Sequence, residues 1–214
     1  MLKDLSSRHF QLSEKDHWDN NGVLDTFTLW SDAGRRAVLW IGGNSGNQDN
    51  WVTEMSVDLI SALEFQEKTV VFLFCSESTQ PVTPVLLVEQ LIIQLLQAYP
   101  LLAFHNADRI NSRQLKKAET FPQLWNLWQS LVAKTGEIFI IVDRVDLCWS
   151  GGEVSIEEDV LPGFLNTVQQ HSHISMVLTS GTQPPEQLAR DSFKLQSTWV
   201  DTVISAHRRY DKRY

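Results

Sequence analysis

The sequence predicts an α/β domain with a three-layer core, in which a mostly parallel sheet of about five strands carries helices on both faces. Two observations favour this class. Apolar runs of strand length alternate with helical patterns along the chain, and the strands end in polar residues, as expected where parallel strands deliver side chains to one sheet edge. The 214 residues, 43% of them hydrophobic and 21% charged, are enough for one large domain.

Residues 1–21 are polar and irregular, so we expect a lead-in followed by a single domain over residues 22–214. A short helix is predicted over residues 22–31. Residues 37–41 predict a buried strand, and residues 42–50 predict a glycine-rich turn. The helix that follows has its apolar positions at the spacing of one buried face, namely Val52, Met55, Leu59, Ile60 and Leu63.

The rest of the chain continues the alternation of strands and helices. The predicted strands are residues 68–75, whose continuous apolar run indicates a buried parallel strand, then 137–143 and 174–180, with an edge strand at 193–196. The predicted helices are residues 85–99, 120–134, 155–170 and 199–209, with a looser stretch at 100–119. We expect Gly136 to end the second of these helices, and its Trp125 and Trp128 to pack in the core.

A strand, a glycine-rich turn and a helix, in that order, begin a P-loop nucleotide-binding domain. The P-loop pattern (Walker A) is Gly, four residues, Gly, Lys, and Ser or Thr. Counting from Gly43 through Gly46, the last three positions hold Gln48, Asp49 and Asn50. The frame is therefore present, but the second glycine, the lysine and the hydroxyl are missing.

These replacements oppose phosphate binding. Asp49 puts a negative charge where a lysine would neutralise phosphate, and two like charges about 4 Å apart cost on the order of 4 kcal/mol at an effective dielectric near 20. Gln48 adds a side chain where glycine lets the backbone approach the ligand. We expect Asp49 or Asn50 to cap the helix in place of a phosphate.

A second motif ends the strand predicted at residues 137–143. An apolar strand that ends in Asp143, with Asp146 shortly after, is typical of Walker B, whose carboxylate binds Mg²⁺ beside the phosphates. Thr179 and Ser180 end the next strand at the same sheet edge. Asp143 is the candidate metal ligand if nucleotide binds; the alternative is a structural carboxylate that accepts hydrogen bonds from loop amides. Gly43 and Gly46 could likewise be ordinary turn glycines.

Charge, cysteine usage and hydropathy limit the kinds of partner and the cellular location that we expect. A net charge of −8 argues against a general nucleic-acid binder. Cys75 and Cys148 each follow a strand-like run, which favours reduced, buried thiols in an intracellular protein. No window reaches the ~20 apolar residues of a membrane span, and we expect a cytoplasmic location. His171 and His173 are interpreted as a loop pair rather than metal ligands.

Over residues 24–188 the chain resembles the NTPase domain of fungal NACHT-type proteins, which belong to the STAND class and are NLR-like. The matching segments are Phe27-Thr28-Leu29-Trp30, Val38-Leu39-Trp40-Ile41, Val71-Phe72-Leu73-Phe74-Cys75, Leu91-Ile92-Ile93-Gln94-Leu95-Leu96 with Tyr99-Pro100, Ile140-Ile141-Val142-Asp143-Arg144-Val145-Asp146-Leu147-Cys148, and Leu178-Thr179-Ser180. The resemblance implies an ATP- or GTP-dependent switch module of an intracellular immune-type receptor.

The departures from that family fall on its chemistry. Besides the changed loop, Leu147 stands where the family usually has an acidic residue, and Gly181 stands where it usually has arginine. From the resemblance we also expect the domain over residues 22–214 to lack the lid and winged-helix regions that the family carries. We therefore expect a stand-alone NTPase core or a piece of a longer protein.

Three functions are compatible with these patterns. The first is a catalytically inactive pseudo-NTPase that acts as a regulatory or protein-interaction module, with no bound cofactor and with a protein partner or self-association. The second is a weak or unconventional ATP or GTP switch with Mg²⁺ at Asp143, which needs another cation near the loop, Arg144 being the candidate. The third is an unrelated α/β enzyme.

Overall fold

Five parallel strands form the sheet in the computed structural model, which describes residues 38–44, 51–75, 81–105, 120–148, 154–186 and 195–201. The strands are β1 (Val38–Asn44), β2 (Thr69–Phe74), β3 (Ile138–Asp143), β4 (Ile174–Ser180) and β5 (Leu195–Asp201). Their order across the sheet is β2-β3-β4-β1-β5, and all four pairings are parallel. The predicted fold class is confirmed.

Helices connect these strands. They are α1 (Trp51–Phe65), α2 (Pro84–Ala98), α3 (Pro100–His105), α4 (Phe121–Val132) and α5 (Leu161–Gln170). A 3₁₀ turn (Val145–Leu147) follows β3, and a π turn (Ile156–Val160) precedes α5. No helix in the described part of the chain has the length and apolar character needed to cross a bilayer.

Successive side chains of β1 enter two different cores. Leu39 and Ile41 pack with α1, whose apolar positions predicted from the sequence are all buried. Val38 and Trp40 pack on the other face with α2, α4 and α5. Because successive strand residues point to opposite faces, a strand buried on both sides has an unbroken apolar run. Helices on both faces make the three layers.

Helix boundaries follow local chemistry, and several of them differ from prediction. Thr83 caps α2, and its hydroxyl accepts the Leu86 N–H at 3.2 Å. The predicted helix over residues 155–170 is a π turn followed by α5, because Pro162 has no N–H to continue an α-helical ladder. Residues 100–119 were expected to be loose, but they begin with α3. Helix α4 ends at Val132, before Gly136.

β2 is less buried than predicted. Only Val71 within the strand is fully enclosed, because β2 lies at the edge of the sheet, and the sequence alone did not show its place in the strand order. The Gln94 side chain of α2 covers the open edge at Phe72. Gln94 Oε1 accepts the Phe72 N–H at 2.8 Å, and Gln94 Nε2 donates to the Phe72 carbonyl at 2.6 Å.

Two predicted strand boundaries are wrong at the other edge of the sheet, where β5 pairs with β1. β1 does not stop at Ile41 but runs to Asn44, because its last three residues pair with the last three residues of β5. β5 spans Leu195–Asp201 rather than residues 193–196, so the helix predicted from residue 199 is wrong where it overlaps. The Thr198-Trp199-Val200 run is β-branched and aromatic, which favours the strand.

Both predicted core tryptophans of α4 pack with the hydrophobic core. Trp128 is fully buried, and Trp125 is half-buried between Phe121 and Phe164, with ring centroids 5.6 and 5.4 Å away. Several other predictions lie outside the described residues: the lead-in, the helix at residues 22–31, and the closing helix beyond residue 201.

Candidate functional site

The carboxyl ends of β3 and β4 lie side by side, because the two strands are parallel neighbours. β3 ends at Asp143, and β4 continues through Thr179 to Ser180. α1 packs over this edge and contacts both strands. The structure therefore brings together the polar residues that the sequence predicted for one edge of the sheet.

The carboxylate of Asp143 is fully buried and accepts hydrogen bonds from three hydroxyl groups. Thr53 Oγ1 donates to Oδ2 at 2.7 Å, and Thr179 Oγ1 donates to Oδ1 at 2.6 Å. Ser56 Oγ lies 2.9 Å from Oδ1 and 3.0 Å from the Val52 carbonyl, so its proton is shared between two acceptors. Two of the three donors come from α1 and one comes from β4.

These contacts tie three elements together around one charge. A buried carboxylate is stable in a protein only when hydrogen bonds or a cation replace the water that it has lost. Here hydroxyl donors from α1 and β4 supply such hydrogen bonds, in keeping with a structural carboxylate. A Mg²⁺ ion, which demands near-ideal octahedral geometry and keeps several of its waters, would compete with these donors for the carboxylate oxygens.

Arg144 and Asp146 form an ion pair in the turn after β3. Arg144 Nε lies 3.0 Å from Asp146 Oδ1, and Nη2 lies 2.9 Å from Oδ2, which is the two-point geometry that a guanidinium makes with a carboxylate. Asp146 Oδ1 also accepts the Gly181 N–H at 2.9 Å. Arg144 has a left-handed backbone, with φ at 54°, and its N–H donates to Thr179 Oγ1 at 3.0 Å.

The ion pair shifts the pKa of both of its members. Burial raises the pKa of Asp146, but the hydrogen bonds from Arg144 and the Gly181 amide outweigh burial, so that the net pKa lies below its ordinary value. The hydrogen bond to Asp146 raises the pKa of Arg144 above its ordinary value. Through the Gly181 amide the pair connects the turn after β3 to the end of β4. The guanidinium of Arg144 is bound to the carboxylate of Asp146.

The remaining predicted site residues are divided between the sheet and the part of the chain outside the described residues. Gly43 lies within β1 and pairs with Val200 of β5, so it belongs to the sheet and not to a turn. Ser180 Oγ accepts the Thr182 N–H at 3.0 Å. Gly46, Asp49 and Asn50 lie outside the described residues, so their expected role as a cap stays a prediction.

Thr53 and Ser56 belong to the site, although they are not part of either predicted motif. Both lie on the buried face of α1, among the apolar positions Val52 and Met55. Two hydroxyl residues on an otherwise apolar helix face are a usable signal, because a buried hydroxyl needs a partner. The pattern identifies the need for an acceptor but does not say that the acceptor is Asp143.

Among the described residues, no three His, Cys, Asp or Glu side chains are grouped so that they could hold a metal ion. The rings of His171 and His173 lie 5.5 Å apart, and His173 Nε2 lies 3.1 Å from the Val132 carbonyl. Burial and the neighbouring His173 lower the pKa of His171. The pair is at the start of β4, opposite to the edge that carries Asp143.

Solved structures similar to this chain include a Walker-type ATPase of Pyrococcus abyssi (12% identity, TM-score 0.48, 84% of this chain and 53% of that chain). A chain of Drosophila ORC bound to poly(dA/dT) DNA and Cdc6 has 14% identity and a TM-score of 0.48, over 99% of this chain and 33% of that one. PCH-2 of C. elegans has 10% identity and a TM-score of 0.40, over 82% and 41%. This chain thus spans about half of those chains or less.

No curated protein matches the chain. Residues 23–180, well over half of the chain, match the family described as Nephrocystin 3, N-terminal. The matched span includes β1, the glycine-rich stretch, α1, and the strand ends that carry Asp143 and Thr179. The chain belongs to the Nephrocystin 3, N-terminal family, and its core has the fold of P-loop nucleotide-binding domains.

Proposed function

We propose that this chain is a NACHT-type pseudo-NTPase, a P-loop domain that no longer uses nucleotide and acts as a regulatory or protein-interaction module. The observation that carries the proposal is the state of Asp143. The carboxylate that would hold Mg²⁺ in an active domain is fully buried and is bonded to Thr53, Ser56 and Thr179. It acts as a structural centre of the fold.

Two further facts support the loss of nucleotide chemistry. The loop holds Asp49 and Asn50 at the positions of the P-loop lysine and hydroxyl, so that it lacks the charge that neutralises phosphate and the ligand that holds Mg²⁺. Arg144, the cation expected to substitute for the lysine, forms its two-point ion pair with Asp146. Its charge is thus neutralised within the turn.

A domain of this kind keeps the shape of a switch without the ligand that drives switching. Its function must then come from its surface, through a protein partner or a second copy of the chain. The resemblance to fungal NACHT-type, STAND-class proteins suggests a place in an NLR-like receptor system of innate immunity. That assignment depends on the sequence motifs and belongs to the proposal.

The test is a titration of the purified protein with ATP and with GTP, with and without Mg²⁺, followed by thermal shift and tryptophan emission. A ligand at 100 times its Kd stabilises a protein by about 2.7 kcal/mol, which a melt detects readily. We expect no shift at millimolar nucleotide. A saturable, Mg²⁺-dependent shift would refute the proposal and favour the weak-switch alternative.

A matched variant locates the defect. Gln48→Gly, Asp49→Lys and Asn50→Thr together restore the P-loop pattern. If the loop residues alone block binding, the triple variant should show a nucleotide-dependent melt that the native protein lacks. If the variant also fails to bind, the loop backbone or the occupied Asp143 is the obstacle, and adding Thr53→Val separates those two causes.

A further inference from the structure

The two cysteines of the chain meet at the edge of the sheet that carries Asp143. Cys75 directly follows β2, and Cys148 directly follows the 3₁₀ turn after β3. Their sulfur atoms lie 2.9 Å apart although 73 positions separate the residues in the chain. Both thiols are free and buried, with 7% and 5% of each residue exposed. We call them the thiol pair.

The distance between the sulfurs is the main argument. A disulfide bond is about 2.05 Å long, so the two atoms need to approach by only about 0.9 Å. Neighbouring backbone already holds them in place: the Cys75 N–H donates to the Asp143 carbonyl at 3.0 Å, and the Cys148 N–H donates to the Val145 carbonyl at 3.1 Å. The two sulfur atoms are thus held close to bonding distance.

We propose that the thiol pair is an oxidisable modification site, which a small-molecule disulfide of the glutathione class converts into an internal Cys75–Cys148 disulfide. One cysteine thiolate attacks the small disulfide, forms a mixed disulfide and releases one small thiol. The second cysteine thiolate then attacks the protein sulfur of the mixed disulfide and releases the second small thiol. Two protein thiols are oxidised, and one small disulfide is reduced to two thiols.

The environment makes this reaction slow. The hydrogen bond to Cys148 and the burial of the side chain both raise the pKa of the Cys75 thiol, so that little of the reactive thiolate is present. We therefore expect oxidation over hours under a sustained change of redox conditions, not a response to a brief pulse. The fraction of the thiol pair in the disulfide form would then follow the redox state of its surroundings.

The bond would act on the edge of the sheet at Asp143. One end follows β2, and the other follows the turn after β3 that carries Arg144 and Asp146. Oxidation would link that turn covalently to the residue after β2, near the hydroxyl groups that donate to Asp143. This inference goes beyond the proposed function and does not depend on whether nucleotide binds.

The experiment uses the native chain in buffers of varied reduced-to-oxidised glutathione ratio, followed by alkylation of remaining thiols and peptide mapping by mass spectrometry. We expect a cross-linked Cys75–Cys148 peptide, loss of both alkylatable thiols, a monomer on a non-reducing gel, and reversal by dithiothreitol. Closing a loop of this length should raise the Tm by on the order of 10 °C in the oxidised form. Because the chain has only two cysteines, an intramolecular disulfide has one possible identity.

Three results would overturn the inference: both thiols remaining alkylatable in fully oxidised buffer, glutathione adducts without a cross-link, or a disulfide-linked dimer. Cys148→Ser is the matched control, and its Tm should be the same in both buffers. If that variant does not fold, the reversible midpoint of the native protein across the glutathione series decides the question by itself.

Discussion

Asp143→Asn tests whether the buried carboxylate holds the fold together or is reserved for a metal. In a site reserved for Mg²⁺, the buried charge lacks full compensation until the ion binds, so its removal leaves the metal-free protein as stable or more stable. In this structure three hydroxyls donate to that charge. An asparagine offers one acceptor oxygen and two N–H donors, and the donors would face hydroxyl protons.

The magnitude follows from those contacts. A hydrogen bond to a charged group contributes about 1.5–3 kcal/mol net, and asparagine keeps part of the acceptor capacity. We expect the free energy of unfolding to fall by about 2–4 kcal/mol, which corresponds to a Tm lower by roughly 4–16 °C for a chain of this size. The assay is urea denaturation at pH 7 with EDTA and no nucleotide, followed by the emission of the eight tryptophans.

Two variants of α1 serve as controls. Thr53→Val keeps the shape and removes one donor to Asp143, so it should cost about 1–3 kcal/mol and should couple to Asp143→Asn in a double-mutant cycle. Ser61→Ala removes an exposed hydroxyl that donates to the Val57 carbonyl within its own helix, and we expect a change within about 0.5 kcal/mol. An Asp143→Asn protein as stable as the native one, with no coupling to Thr53, would refute the structural role.

Three further predictions concern stability. The pKa of Asp146 is lowered in the fold, so the stability that its ionised form contributes is fully present above its ordinary pKa and is lost as pH falls through the folded value. The loss of unfolding free energy in Asp146→Asn, measured by urea denaturation, should therefore be constant above about pH 5 and shrink below about pH 4. A loss that grows as the pH falls would contradict this sign. A Cβ at Gly163 would overlap the Trp125 indole, so Gly163→Ala should lose about 1–3 kcal/mol in a thermal melt; an unchanged Tm would mean that the ring moves aside freely. Gln94→Ala removes both hydrogen bonds to the β2 edge at Phe72, and the free energy of unfolding should fall by about 1–3 kcal/mol. The variant should also scatter more light on heating, because the edge of β2 is then exposed to other strands. Scattering equal to that of the native protein would show that the edge needs no cover.

The sequence predicted most of the strands correctly because a strand buried on both faces leaves a continuous apolar run. β3 and β4 match that pattern closely. The burial of β2 was overestimated because an apolar run does not reveal where a strand lies in the sheet order. β5 was misplaced because residues 199–201 were assigned to the helix that follows, and their pairing with β1, which extends the strand through them, is not visible in the sequence.

The candidate site was predicted in part. The position of Asp143 at a strand end is visible in the sequence, since parallel strands deliver such residues to one edge. Its partners are not visible, because Thr53 lies 90 positions and Thr179 lies 36 positions away, and only the packing of α1 on β3 and β4 brings them together. The same limit explains why the contact between Cys75 and Cys148 was missed.

The amide of Gln94 has a consequence for how copies of this chain could assemble. Its oxygen and nitrogen occupy the Phe72 backbone groups that an incoming strand would use, in effect standing in for one peptide unit of a sixth strand. Growth of the sheet from the β2 side therefore requires α2 to release that side chain first. Assembly through other surfaces carries no such penalty, so strand-to-strand polymerisation at β2 is disfavoured by a residue that belongs to the neighbouring layer.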